Sequence, residues 1–220
     1  MAMDDSGIHE MSLNFFGKIS ASISHEIRNV LAVINENAGL MKDLLLMADK
    51  GQPLDHGRIS RQTEKILEQV LRADGIIGNM NRFAHSVDDV YKTVDVGECL
   101  RLVAALSGRF AAMREVALSF NTLSETIEIT TCPFLLENII YLCLDYAMSA
   151  AGKEKTVDMI VKKHVDGAQI RFSGLEKVGE TVRGLLSDAV EDLLGYLGAK
   201  IDTDEKGGAV VLTLPAKIAV

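Results

Sequence analysis

The sequence predicts an α+β chain: a long helical hairpin followed by an α/β sandwich, a mixed sheet with helices on one face. Two observations carry that expectation. The first 92 residues hold two apolar series with the 3.5-residue period of a coiled-coil seam. After Tyr91 the texture changes to short β-branched runs, helical spacings and glycine turns.

The first series runs through Phe16, Ser20, Ile23, Ile27, Val30, Ile34, Asn37, Met41, Leu44 and Ala48, and eight of these ten are apolar. The second runs through Ile59, Thr63, Ile66, Val70, Ala73, Ile77, Met80, Ala84, Val87 and Tyr91. Lys50-Gly51-Gln52-Pro53 between them reads as a helix stop and turn. Helices over about 12–49 and 57–92 follow, each arm about 55 Å long at 1.5 Å per residue. Phe15, Ile19, Leu31, Leu45, Leu67, Leu71, Ile76 and Phe83 lie beside the seams and are apolar too. Two helices cannot cover so wide a stripe against each other, so a homodimer forming a four-helix bundle is expected.

Beyond the hairpin, strands are expected at Thr93–Val96, Val116–Phe120, Thr126–Ile129, Thr156–Lys163, Ala168–Phe172, Lys200–Asp204 and Ala209–Pro215. Helices are expected at Glu98–Met113, at Phe134–Ala151 behind Pro133, and at Ser187–Leu197, which Gly198 ends. Asp166-Gly167 is a hairpin turn signal. The domains are therefore 1–92 and 93–220.

A net charge of −8 argues against binding nucleic acid through its phosphates. No apolar run approaches the roughly 20 residues that span a bilayer, and the acidic start is unlike a signal peptide. A cytoplasmic protein without membrane attachment is expected. Cys99, Cys132 and Cys143 lack metal-ligand spacing and read as reduced thiols, so no metal site is expected. His9, His56, His85 and His164 read as surface or turn residues.

His25 stands in Ser24-His25-Glu26-Ile27-Arg28-Asn29. With Ile23 and Ile27 on the seam it falls at the heptad position farthest from it, on the solvent side. A nucleophilic imidazole needs that exposure, because a phosphoryl donor must approach the ring nitrogen in line. Glu26 could accept the other ring proton, and Asn29, one turn on, could hold a water or a phosphoryl oxygen. On spacing alone, an exposed His beside a Glu is usually plain surface.

Residues 15–36, with the core Ser-His-Glu-Ile-Arg-Asn and a Leu-Ala-x-Ile tail, resemble the phosphoacceptor box of two-component sensor histidine kinases. The resemblance implies that His25 is phosphorylated, that Glu26 acts as its base, and that Asn29 positions water or the partner's phosphoryl group. Arg28 takes a contact role, and Ser22 and Ala32 leave room for a partner to dock. The family usually has Pro after the Asn. Val30 stands there instead, so the helix should bend less.

The similarity extends over the rest of the chain, where residues 93–220 resemble the family's ATP-binding domain. Leu135–Ala150 aligns with the helix that carries the family's Mg²⁺-binding asparagines, at Tyr141 and Asp145 of this sequence. The family's Asp-x-Gly-x-Gly loop, whose Asp binds adenine, is replaced by Ser173-Gly174-Leu175-Glu176-Lys177-Val178-Gly179. The triphosphate loop is reduced to Arg183-Gly184-Leu185-Leu186, and the lid has no room before Ser187. Such a domain has lost its base-specific partner and its amide cradle, so no tightly bound cofactor is expected and ATP with Mg²⁺ should bind weakly or not at all.

Three functions fit the sequence. The first is a phosphotransfer protein, in which His25 accepts a phosphoryl group from a receiver-domain Asp of one response regulator and donates it to another. Stand-alone histidine phosphotransferases with a dimeric bundle and a degenerate ATPase-like domain are the architecture this looks like. The second is an ATP-dependent histidine kinase with a divergent nucleotide site. The third is a non-catalytic dimer that docks a kinase or a response regulator.

Overall fold

Gly51, at φ 89°, ends the first helix where an L side chain would be strained. Helix α1 spans Asp5–Asp49 and α2 spans His56–Ala84. The turn is closed by the amides of Gly51 and Gln52, which donate to the carbonyls of Ala48 and Met47. Asp55 caps α2, its Oδ1 accepting from the Arg58 amide at 2.9 Å. The computed structural model describes residues 5–121, 126–176, 178 and 186–218. Helix α2 stops earlier than the apolar series suggests. Ser86 Oγ donates to the Phe83 carbonyl at 2.7 Å and the Asp88 amide to that of His85, closing a 3₁₀ turn at His85–Val87. Val87 and Tyr91 are therefore not part of the α2 seam.

The chain forms two compact units, one of Ser20–Arg82 and one of Met1–Ile19 with Phe83–Val220. This division differs from a boundary at residue 92. Phe15 near the start of α1 and Phe83 at the end of α2 belong to the same unit as Phe134 and Tyr141, and their rings pack within it. Phe15 contacts Phe83, Phe134 and Tyr141 at centroid distances of 5.2, 5.7 and 5.0 Å. That packing also moves the buried stripe of the first turns of α1 from Phe16 to Phe15 and Ile19, both of which are buried while Phe16 is exposed.

Within Ser20–Arg82, α1 turns inward the positions its period predicts, Ile23, Ile27, Val30, Ile34, Asn37 and Met41. On α2 the inward set is Ile59, Gln62, Ile66, Gln69, Ala73, Ile76 and Met80, while Thr63, Val70 and Ile77 are exposed. Half of the expected α2 seam is thus displaced by one residue. The glutamines face inward, and the apolar side chains expected there face out.

In the other unit, β1 (Lys92–Asp95) leads into α3 (Val96–Leu106), α4 (Gly108–Met113) and β2 (Ala117–Asn121). After β3 (Glu128–Thr131) come α5 (Pro133–Ser149), β4 (Thr156–His164) and β5 (Gly167–Ser173), and α6 (Asp188–Leu197), β6 (Lys200–Asp204) and β7 (Ala209–Pro215) complete the order. A five-stranded sheet runs β2-β4-β5-β7-β6, with β2 and β4 parallel and the other pairs antiparallel. Strands β1 and β3 form a separate antiparallel pair. One helix expected over Glu98–Met113 is broken at Ser107, whose amide closes the end of α3. Alternation along β4 and β5 puts Val157, Met159, Val161, Ala168, Ile170 and Phe172 on the buried face. Helix α5 lies against that sheet between α3 and α6, and its Leu136, Ile139, Ile140, Cys143 and Leu144 are fully buried. The fold is α+β, with a mixed sheet and a long N-terminal helix.

Candidate functional site

His25, Arg28, Asn29 and Ala32 are all exposed on α1, and Glu26 is half-buried. At about 100° per residue, Arg28, Asn29 and Ala32 lie within about 60° of His25 around the helix, so the four form one solvent-facing strip. Ser22 does not stand open on that strip. It is 3% exposed, and its hydroxyl is buried among the hairpin's side chains without a hydrogen-bond partner. The reason is angular: Ser22 sits between His25 and the buried stripe formed by Ile19, Val30 and Asn37. An open docking position for Ser22 is therefore corrected. Ser24 Oγ donates back to the Ser20 carbonyl at 2.9 Å, occupying the hydroxyl next to the imidazole. Val30 is fully buried and the helix continues through it without a break.

On α5, Tyr141 and Asp145 stand where the resemblance puts the metal-binding asparagines. Tyr141 is buried against Phe15 and meets the ring of Phe110 at 6.1 Å. Burial, and then the nearby Asp145 carboxylate, push its phenol up to about 12. Asp145 Oδ1 is held at 2.8 Å by Arg114 Nη1. The end of β5 is stitched to the end of α5: the Gly152 amide donates to the Gly174 carbonyl and the Glu176 amide to that of Ala150. Leu175 is tied to Gly208 on the other side, its amide donating to that carbonyl at 3.0 Å. Tyr146 OH donates to the Val178 carbonyl at 3.1 Å. Lys177, Gly179 and residues 183–185, singled out in the sequence, lie outside the described residues.

Sequence reasoning missed two contacts here. Arg114 is 31 residues from Asp145 and carries no local signal of the pairing. Phe15 was visible as an apolar residue beside the seam, but its partners on α5 were not. Among the described residues, no group of three or more His, Cys, Asp or Glu side chains is placed to hold a metal ion. Among them, too, no helix is long and apolar enough to cross a membrane.

No family model matches the sequence. The chain is 24% identical over 196 residues to the sensor histidine kinase ZraS of Klebsiella oxytoca, an alignment covering 89% of this chain. It spans only 40% of that relative's length. Among solved structures it is similar to a bacterial phosphotransferase, with a TM-score of 0.50 and 13% identity over 90% of this chain and 94% of that one. It also aligns with the histidine kinase ThkA in complex with the response regulator protein TrrA, with a TM-score of 0.48 and 16% identity, covering 97% of this chain and 65% of that one. The chain is thus similar in sequence to a sensor histidine kinase and shares the α+β fold of the phosphotransferase.

Proposed function

We propose that the protein is a phosphorelay component of two-component signalling, and that His25 takes a phosphoryl group from the receiver Asp of one response regulator and passes it to another. The observation that carries this reading is the exposed His25, Arg28, Asn29 and Ala32 strip within a Ser-His-Glu-Ile-Arg-Asn sequence. A ring nitrogen of His25 attacks the phosphorus of the aspartyl phosphate in line. The P–O bond to the carboxyl breaks, and the carboxylate leaves with the electron pair. Glu26, next in sequence and half-buried, holds the proton on the other ring nitrogen and so keeps the attacking nitrogen's lone pair available. Asn29 hydrogen-bonds a phosphoryl oxygen. The same steps in reverse deliver the group to the second Asp.

The residues of α5 do not fit a Mg–nucleotide, because Tyr141 is packed among rings and Asp145 already pairs with Arg114. No step is routed through ATP. The working form is a homodimer, which the outward Val70, Ile77 and Leu71 (72% exposed) support as a face for a second hairpin. Light scattering should give the mass of two chains at micromolar concentration.

The test is to incubate the protein with receiver domains phosphorylated on Asp and to follow acid-labile label on the protein. Label should appear on the wild type and vanish in His25→Ala, whose melting temperature should be unchanged because exposed substitutions usually stay within about 0.5 kcal/mol. Label acquired from Mg–ATP alone would replace this reading with that of a kinase.

A further inference from the structure

The first turns of α1 belong to the same compact unit as the sheet and helices of Phe83–Val220. They lie against two helix surfaces that, by the resemblance, would face a nucleotide: α5 at Tyr141, and α6 just after the reduced triphosphate loop. Phe15 is buried with its ring 5.0 Å from that of Tyr141. Three residues earlier, Ser12 Oγ accepts from Asn138 Nδ2 at 3.5 Å. At Gly7, α1 crosses the start of α6 so closely that a Cβ there would stand 3.3 Å from Cβ of Ala189. Successive contacts at 7, 12 and 15 lay the first turns of α1 along both helices.

We propose that residues 7–15 are a built-in stopper: this segment occupies the nucleotide face of the domain and stays there while His25 exchanges phosphoryl groups. The inference rests on the phosphorelay reading and adds a structural cause to it. Loss of ligand residues alone would leave an open cleft, whereas here the chain's own helix has taken the place of the ligand. What remains between α1, α5 and the start of α6 is a cavity of about 300 Å³, lined by Met11, Asn14, Phe15, Asn138, Tyr141 and Ser187. That is the lower end of the range for small-molecule sites, which starts at about 300 Å³. Its α1 wall would have to leave before a nucleoside triphosphate could lie along α5. Glu10 and Lys18 both line it, so the cavity offers a phosphate no net positive charge.

The close approach supplies the test. Gly7→Cys with Ala189→Cys places two thiols near the usual Cβ separation of a disulfide, about 3.5–4.5 Å. Mild oxidation of the full chain should join them, read by mass spectrometry as one linked peptide pair. The linked protein should relay phosphoryl groups from a phosphorylated receiver domain within about twofold of the reduced form, the size of change that leaves a transfer step essentially undisturbed. Failure to link while both thiols accept an alkylating reagent overturns the proposal. So does a tenfold or larger loss of transfer on linking that a reductant restores, since the segment would then have to move. A second measurement needs no disulfide. Alkylation of Ser12→Cys should be at least about tenfold slower than of Leu13→Cys, because Leu13 is 74% exposed and Ser12 faces α5. Equal rates would show that the segment is not held. A protein that takes no phosphoryl group, linked or reduced, ends the phosphorelay reading, while linking and alkylation still report on the segment.

Discussion

Arg114 reaches from the end of α4 to place Nη1 2.8 Å from Oδ1 of Asp145 on α5. A carboxylate that the resemblance assigns to a metal therefore already has a cation, supplied by the chain. Both side chains are about one-third exposed, so solvent screens the pair. A double-mutant cycle of Arg114→Ala and Asp145→Ala, followed by denaturant unfolding, should return a coupling of about 0.2–1 kcal/mol.

Ala32 lies on the strip with His25, and its side chain is exposed. Ala32→Trp should reduce phosphoryl transfer at least about tenfold, because in-line transfer needs the reacting atoms within about 3–3.5 Å. Melting temperature and oligomeric mass should not change. Transfer at the original rate would place the partner on another side of α1.

The β6–β7 turn is held by Asp204, which accepts from Arg171 Nη2 at 2.7 Å and from the Gly207 amide at 2.9 Å. The Arg171 hydrogen bond, then the Gly207 amide, hold the Asp204 carboxyl below its usual value of 3.8. A depressed folded value means that the contribution is complete above the unfolded value and is lost as pH falls through the folded one. Acid unfolding below about pH 4 should therefore be less steep in Arg171→Gln than in the wild type, as followed by circular dichroism across pH 2–5. Gly207→Ala should also loosen the turn, because a Cβ there would meet the side chains of Asp204 and Arg171, which have to swing aside to admit it.

Cys143 is fully buried on α5, and burial pushes its thiol up to about 12. At pH 8 only about one thiol in ten thousand would be ionised by that value, so a disulfide reagent should not label Cys143 in the folded protein. The same reagent should label it completely in denaturant.

The sheet strands were legible to within a residue or two because their signals are local. Asp166-Gly167 set the β4–β5 hairpin, and Gly198, at φ 61°, stops α6 where the sequence puts the stop. The α2 seam was half legible. Its period was right, but apolar content pointed to Thr63, Val70 and Ile77, whereas the hairpin turns Gln62, Gln69 and Ile76 inward. Periodicity fixes the width of a stripe better than its direction, and the direction is set by what the helix packs on. The separate pairing of β1 with β3, and the Arg114–Asp145 pair, depend on contacts more than 30 residues apart and leave no mark in any local window. At the candidate site the motif placed His25, Asn29 and Ala32 on the surface, and the cover over Ser22 was missed because the buried stripe runs through Ile19 rather than the expected seam residue Ser20.

The inverted stripe of α2 has a thermodynamic consequence. The oxygens of Gln62 and Gln69 are buried within the hairpin without hydrogen-bond partners, while Val70 and Ile77 stand in water, so a lone hairpin gains little by closing. If a second copy covers the outward face, folding and association become one equilibrium, and protein concentration acts as a stabiliser. Calorimetry from 1 to 100 μM should show the transition of the hairpin moving up with concentration. The transition of the sheet unit, whose core is filled by its own side chains, should stay in place. For this protein, dilution would then act as a denaturant on one unit of the chain alone.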